Sequence, residues 1–375
     1  MSRRVAVLLP VLAIVLAACQ QSASESAAPG ESAAAVDCKV GVSWNNYQQE
    51  RWAKADEPAM QDVIEAAGGE YFRTDAQDSE EQQIADVESL INQEVDVIIL
   101  LAKSTTSILP AVDAAEEAGI PIIGYDRLIA RDSVFYITFD NAGVGRFMAE
   151  AMLEAVPTGN YVVIKGHPDD PNADFLRAGM DEGGLADAVA AGDVTIVFEE
   201  YTDTWSTENA QANMETALQE NDNEVDAVLS ENDSMAIGVV AALDKVGLAG
   251  TVPVSGQDGD PANLKNVAQG LQYVDVWKNS NELGKAAGQA ALQLCEGRSM
   301  EEIEIDIDDS VAPTDGNSPT DFETPGGITV SSLILQPTPV TAETLDLVVA
   351  AGWYASKDDI CAGVTESDPG FEDCQ

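Results

Sequence analysis

Between residues 38 and 270, short apolar runs alternate with amphipathic, helix-patterned stretches. That alternation is the mark of a mainly parallel sheet wrapped by helices, so the fold class is α/β. The runs predict strands over 39–42, 70–74, 95–101 and 120–125, with helices over 50–67, 80–93 and 107–118 between them. After a crossing strand near 135–139 the alternation restarts. Helices over 141–155, 173–185, 206–220 and 234–246 separate strands over 161–165, 194–201, 227–230 and 252–255. A strand over 273–277 and a helix over 279–295 follow, and alternating apolar and charged residues over 304–309 predict an edge strand.

The two halves echo each other. Glu94-Val95-Asp96-Val97-Ile98-Ile99-Leu100 matches Glu224-Val225-Asp226-Ala227-Val228-Leu229-Ser230. In each half a helix follows, then a glycine, then a short strand carrying Ile-Pro or Val-Pro and ending on an aspartate, Asp126 or Asp258. The interval from Asp96 to Asp126 nearly equals that from Asp226 to Asp258. Two similar doubly wound parallel-sheet lobes are the simplest account. Open α/β sheets take ligands outside the carboxyl ends of their strands, so facing lobes would set Asp126 and Asp258 on opposite walls of one cleft.

The first residues lie outside this pattern. Arg3 and Arg4 precede an apolar run over 5–16, too short for a comfortable membrane span, and Leu16-Ala17-Ala18-Cys19 closes it. That ending resembles the lipobox of bacterial lipoproteins. The resemblance implies a signal peptide over 1–18 and Cys19 as the lipidated first residue of the exported chain; an ordinary signal peptide is the alternative. Residues 20–36, rich in Ser, Ala, Glu and Gly, have the composition of a flexible tether, so 19–36 reads as a lipidated linker. The folded unit is expected to begin near Asp37, outside the cytoplasm, held to the membrane through the lipid anchor only.

Composition narrows the functions. The chain has 375 residues, 45% of them hydrophobic, enough for roughly two domains. Its 66 acidic residues against 18 basic ones give a formal net charge of -48. Without a basic patch, that balance argues against nucleic-acid binding and against attraction to anionic lipid. Spread over predicted helix faces, the carboxylates form a solvated surface suited to high ionic strength. A hydrolase working through paired cleft carboxylates is the rival from another class. It finds little support: the one histidine, His167, reads as a loop residue near the cleft, and there is no Gly-x-Ser-x-Gly elbow, phosphate loop or metal-ligand spacing. No catalytic residue, metal or cofactor is therefore expected. Beyond Cys19, four cysteines, Cys38, Cys295, Cys361 and Cys374, allow three disulfide connectivities in an exported chain. Cys361 and Cys374, close in sequence, are expected to clip the C-terminal tail.

Glu50-Arg51-Trp52, Tyr125-Asp126-Arg127-Leu128-Ile129, Phe139-Asp140-Asn141, Arg177-Ala178-Gly179, Asn232-Asp233 and Ser255-Gly256-Gln257-Asp258 occur in this order and spacing. Together they resemble the periplasmic sugar-binding proteins of ABC importers, in particular the D-xylose-binding family, from residue 38 to about 352. The resemblance implies a type I periplasmic binding protein with lobes of 37–139 plus 279–335 and 140–278 plus 336–375. Three crossings near 138–141, 274–278 and 333–340 would hinge the lobes. A monomer is expected, closing on a monosaccharide, D-xylose first, and delivering it to a permease with a separate ATPase subunit. The loops 43–49 and 102–106 depart from the xylose-protein pattern, so glucose, galactose or arabinose are alternatives, as is a partly sensory role.

Sugars present hydroxyls at the rim and C–H faces above and below, so their sites need flat aromatic walls and an edge of carboxylates, amides and cations. Trp52 and Trp205, near helix N-termini in different lobes, are the candidate walls, with core packing as the alternative. Asp126 and Arg127 offer an acceptor beside a donor, and Arg51 a second planar donor; plain salt bridges are the alternative. Asn232 and Asp258 end strands of the second lobe and are expected to bind hydroxyls. Asn172, in the Pro171-Asn172-Ala173 turn, reads as a ligand residue or a helix cap. Lys278 falls where the family has a polar residue reaching the sugar from the hinge, and Lys103 follows the third strand. The helix over 279–295 would run from the hinge to the far side of the first lobe, bringing Cys295 to Cys38.

Overall fold

The computed structural model describes residues 37–312 and 317–375. The expected signal peptide over 1–18, Cys19 and the expected tether lie outside the described residues. In the first half, β1 (Lys39–Trp44), α1 (Glu57–Ala66), β2 (Glu70–Asp75), α2 (Glu80–Asn92), β3 (Val97–Leu100), α3 (Leu109–Glu117), β4 (Ile122–Tyr125) and β5 (Val134–Phe139) alternate. α4 (Asn141–Ala155) opens the second half. It is followed by β6 (Gly159–Lys165), α5 (Pro171–Glu182), α6 (Leu185–Ala191), β7 (Val194–Tyr201), α7 (Thr207–Glu220), β8 (Ala227–Ser230), α8 (Asp233–Lys245), β9 (Ser255–Gln257), α9 (Pro261–Gln269) and β10 (Val274–Trp277). The chain returns with α10 (Ser280–Cys295), β11 (Thr320–Glu323) and β12 (Thr329–Leu335), then ends with β13 (Thr338–Val340), α11 (Asp346–Ala350) and α12 (Lys357–Ile360).

The first sheet runs β11-β12-β5-β4-β3-β1-β2, parallel throughout except at the β11–β12 hairpin. β3, β4 and β5 are buried at every position, as parallel strands covered by helices on both faces must be. In the second lobe β7-β6-β8 and β9-β10-β13 are joined by a parallel bridge between Val228 and Val254. The fold is α/β, with two doubly wound lobes. The chain passes between the sheets three times, from β5 to α4, β10 to α10 and β12 to β13. Two of these passages touch where the Asp140 amide donates to Leu335 O at 2.8 Å.

Small residues set the spacing of the helix that carries Asn172. A Cβ at Gly145 would stand 1.9 Å from Leu176 O, and one at Gly179 1.9 Å from Ala142 O, so α4 and α5 pack backbone to backbone. Disulfides join Cys38 to Cys295, at the ends of β1 and α10, with Cα atoms 5.8 Å apart, and Cys361 to Cys374, with Cα atoms 5.4 Å apart.

Three local expectations need correction. The segment 304–309 is not an edge strand. Ile303, Ile305 and Ile307 are buried as alternation requires, but the partner is a helix: Gln289 and Gln293 of α10 each donate to and accept from the main chain of the segment. The helix over 173–185 starts at Pro171 and breaks after Glu182, where Gly184 takes φ 102° before α6. The strand over 252–255 is displaced to β9, with Val252 and Val254 only in isolated bridges around Pro253, which has no N–H to give a ladder.

Candidate functional site

Between the lobes lies a narrow cavity lined by Gln49, Arg51, Trp52, Asp126, Arg127, Asp170, Asn172, Trp205, Asn232, Gln257, Asp258 and Lys278. The first-lobe wall is organised by Arg51, which precedes a single π-helical turn, Trp52–Asp56, ahead of α1. The wider turn bonds Glu57 N to Trp52 O, five residues apart, and the same spacing sets Asp56 beneath Arg51. The Asp56 carboxylate takes Arg51 Nε at 3.1 Å and Nη2 at 2.8 Å, and the Tyr125 hydroxyl donates to it at 2.5 Å. The guanidinium lies over the Trp52 ring, 4.2 Å from its centroid.

From this anchor Arg51 spans the cleft. Nη2 is 3.4 Å from Asp126 Oδ2 in the first lobe and Nη1 is 3.1 Å from Asp258 Oδ1 in the second. Both aspartates follow strand ends with positive φ, 63° at Asp126 and 105° at Asp258, regions that residues with a Cβ rarely adopt. Such local strain gathers at functional sites. Burial works against the Arg51 charge, yet Asp56, Asp126 and Asp258 together hold its pKa well above the ordinary value. Burial raises the Asp258 carboxyl, with Arg51 and Lys278 opposing, and burial lowers the Lys278 ammonium.

A second chain of contacts crosses the cleft. Arg127 Nε pairs with Asp170 Oδ2 at 2.8 Å, and the Trp205 indole N–H donates to the same oxygen at 3.2 Å. Asn172 Nδ2 donates to Asp126 O at 3.1 Å and to its Oδ1 at 3.3 Å, and Asn141 Nδ2 donates to Asn172 Oδ1 at 3.0 Å. Lys278 Nζ donates to Asn141 Oδ1 at 2.8 Å. The cap of α5 is Asp170, which accepts from the Asn172 amide, and that leaves the Asn172 side chain free to reach across. Asn232 caps α8 through Met235 N at 3.0 Å while facing the cavity. Gln257 Oε1 is buried without a hydrogen-bond partner among the described residues.

Two lobes, three crossings and a polar, indole-walled cavity at the strand ends coincide with a match of residues 40–299 to a family model described as a periplasmic binding protein domain. The chain belongs to the periplasmic binding protein family. It is similar to the D-xylose-binding periplasmic protein of Escherichia coli (strain K12), 37% identical over 268 residues, 71% of this chain and 81% of that protein. The protein of the same name from Haemophilus influenzae is 35% identical over 271 residues, 72% of this chain and 81% of its own. An ABC transporter solute binding protein from Clostridium phytofermentans, solved with bound β-D-glucose, matches with a TM-score of 0.72 at 26% identity, covering 86% of this chain and 99% of that one.

In this periplasmic binding protein the structure brings Arg51, Trp52, Asp126, Arg127, Asn172, Trp205, Asn232, Asp258 and Lys278 around one cavity. Lys103, expected among them, is not in the lining. Its ammonium pairs with Asp78 at 2.9 Å, outside the lining, and only its carbonyl approaches the site, as an acceptor for Arg127 Nη1. Sequence reasoning missed Gln49, Asp170 and Gln257. Gln257 stood inside the quoted Ser255–Asp258 motif, and Asp170 immediately precedes the Pro171-Asn172 turn. Gln49 carried no local signal; its Oε1 accepts from the Trp52 indole N–H at 2.9 Å. His167 lies in the loop after β6, beside the cavity rather than in its lining.

Proposed function

We propose that this protein is an extracytoplasmic lipoprotein that captures a monosaccharide, D-xylose, between its lobes and presents it to an ABC-type importer. The observation that carries the reading is the lining of the cavity, with an indole from each lobe and an edge of carboxylates, amides and cations. Aromatic walls with a few convergent polar groups are the usual make-up of a small-molecule site, and here they suit a sugar ring. Trp52 and Trp205 would cover the C–H faces of the ring. Asp126, Asp258 and Asn232 would accept from hydroxyls, and Arg51, Arg127, Lys278 and Asn172 would donate to them. Hydroxyl donors would also satisfy Gln257 Oε1 and Asp126 Oδ2, both buried without a hydrogen bond among the described residues. Ligand bound to both walls shifts the population toward the closed form, which a permease with a separate ATPase subunit would accept.

Two relatives named for D-xylose support the choice of a pentose, and the neighbour holding β-D-glucose makes a hexose the second reading. Calorimetric titration of the full-length protein with xylose, glucose, galactose, arabinose and ribose tests both. Binding at micromolar concentration or tighter, sugar recovered unchanged, and a loss of about a hundredfold in Asp258→Asn are expected. Binding of a hexose alone moves the cargo to the second reading; no binding of any sugar ends the proposal.

A further inference from the structure

The one histidine of the chain, His167, is 6% exposed and stands behind the cavity wall. Its Nδ1 is 3.1 Å from the Thr204 amide nitrogen and 2.9 Å from Asp203 Oδ1. The two partners make opposite demands. A main-chain N–H needs a lone pair, so Thr204 is served only by an imidazole that is bare at Nδ1. A carboxylate needs a proton there, so Asp203 is served only by an imidazole that carries one.

The turn governed by this choice carries Trp205. Thr204 and Trp205 have φ of 57° and 56°, left-handed conformations that are costly for residues with a Cβ. The loop over 166–170 fastens that turn at three points. Gly166 O accepts from the Thr202 amide at 3.1 Å, His167 Nδ1 from the Thr204 amide, and Asp170 Oδ2 from the Trp205 indole at 3.2 Å. The indole lies directly against Gly166, where a Cβ would meet it at 2.1 Å. With no space toward the loop, the ring's position follows the turn.

We infer that neutral His167 is the positioning residue that sets Trp205 as a cleft wall, and that its protonation hands Nδ1 from Thr204 to Asp203 and releases the wall. The effect on affinity rests on the sugar-binding reading; the hydrogen-bond exchange does not. Asp203 and Asp169 face the ring with negative charge, and Lys103 and Arg127 face it with positive charge. Burial, then Lys103 and Arg127, hold the imidazole pKa below its usual 6.5 against the two aspartates. The Thr204 contact is therefore complete at neutral pH and is lost as pH falls through that lowered value.

Nitrogen NMR of the full-length protein, with a single imidazole to follow, tests the exchange without ligand. At about pH 7.5 the proton is expected on Nε2, and on acidification through the midpoint of the imidazole the Thr204 amide and Trp205 indole signals should move with it. A proton on Nδ1 at neutral pH, or Thr204 and Trp205 signals that stay still through the titration, overturns the proposal whatever the cavity binds. Calorimetry with D-xylose reads the consequence. The parent protein should weaken about tenfold over that range, and His167→Ala should be weaker by about tenfold already at neutral pH. His167→Gln, whose amide oxygen serves Thr204 at every pH, should keep the affinity and lose the pH dependence. Equal affinities for all three on both sides of that midpoint overturn the positioning role. If none binds xylose, the sugar reading fails and the NMR result alone decides for or against His167.

Discussion

Asp56→Ala tests how the cavity wall is held. Asp56 does not line the cavity, but it is the shared acceptor for Arg51 and Tyr125, and all three residues are buried. Removing one member of a buried ion pair costs about 3–5 kcal/mol, because the remaining charge finds no water in its place. Arg51 keeps Asp258 at 3.1 Å and Asp126 at 3.4 Å, so the lower end applies. With about 3 kcal/mol for the pair and about 1 kcal/mol for the stranded Tyr125 hydroxyl, the variant should lose about 4 kcal/mol. At about 2 °C per kcal/mol for a chain of this size, the melting temperature should fall by about 8 °C. Asp56→Asn keeps one oxygen for these donors and should fall by about half as much. Affinity should drop in parallel, since a guanidinium without its clamp no longer holds a fixed fork toward the ligand. Scanning calorimetry with and without sugar reads both effects. A melting temperature within about 1 °C of the parent, with unchanged affinity, would refute the idea that Asp56 holds Arg51 in place.

Two further outcomes follow from the same structure and a third from the proposed lipid anchor. Burial raises the Asp275 carboxyl to about 8 and that of its neighbour Asp260 to about 7, so the folded chain keeps protons that the unfolded chain releases near the usual carboxylate value of about 3.9. That contribution is full below about pH 4 and lost as pH rises through about 8, so the melting temperature should fall over this window and Asp275→Asn should flatten the fall; parallel slopes for parent and variant would count against the account. The double variant Cys38→Ser, Cys295→Ser opens a link spanning 257 residues and should lose about 2–4 kcal/mol in denaturant titrations, more than the pair Cys361→Ser, Cys374→Ser, whose link spans 13. Cys19→Ala should release the protein into the medium on cell fractionation, and retention in the membrane fraction would dismiss the anchor.

The strand-end aspartates were legible because the chain repeats itself: nearly equal intervals after matched apolar runs place Asp126 and Asp258 at equivalent loop positions, and the fold then faces them across Arg51. Lys103 follows β3 much as Asp126 follows β4, but a long flexible side chain is not located by its backbone, and this one ends on Asp78. Asp170 was hidden for a related reason. Its part in the site depends on Arg127 and Trp205, neither of which is near it in sequence. The isoleucine alternation over 303–307 correctly reported an extended chain with one buried face. It carried no information on whether a strand or the glutamines of α10 would supply the hydrogen bonds. The π-helical turn has no composition cue either, because apolar spacing over 50–67 fits a regular helix.

The left-handed backbone at Asp126 and Asp258 also limits what can replace them. Asparagine and glycine tolerate such angles, and asparagine keeps nearly the same outline, whereas alanine removes the carboxylate and leaves a Cβ in an unfavourable conformation. A randomised library at either position, selected only for soluble expression, should return mostly Asp, Asn and Gly. Altering which ligand the cleft accepts is therefore easier from the neighbours Gln49 and Gln257, whose main chain is not left-handed, than from the two aspartates, whose identities are constrained by the main chain before any ligand arrives.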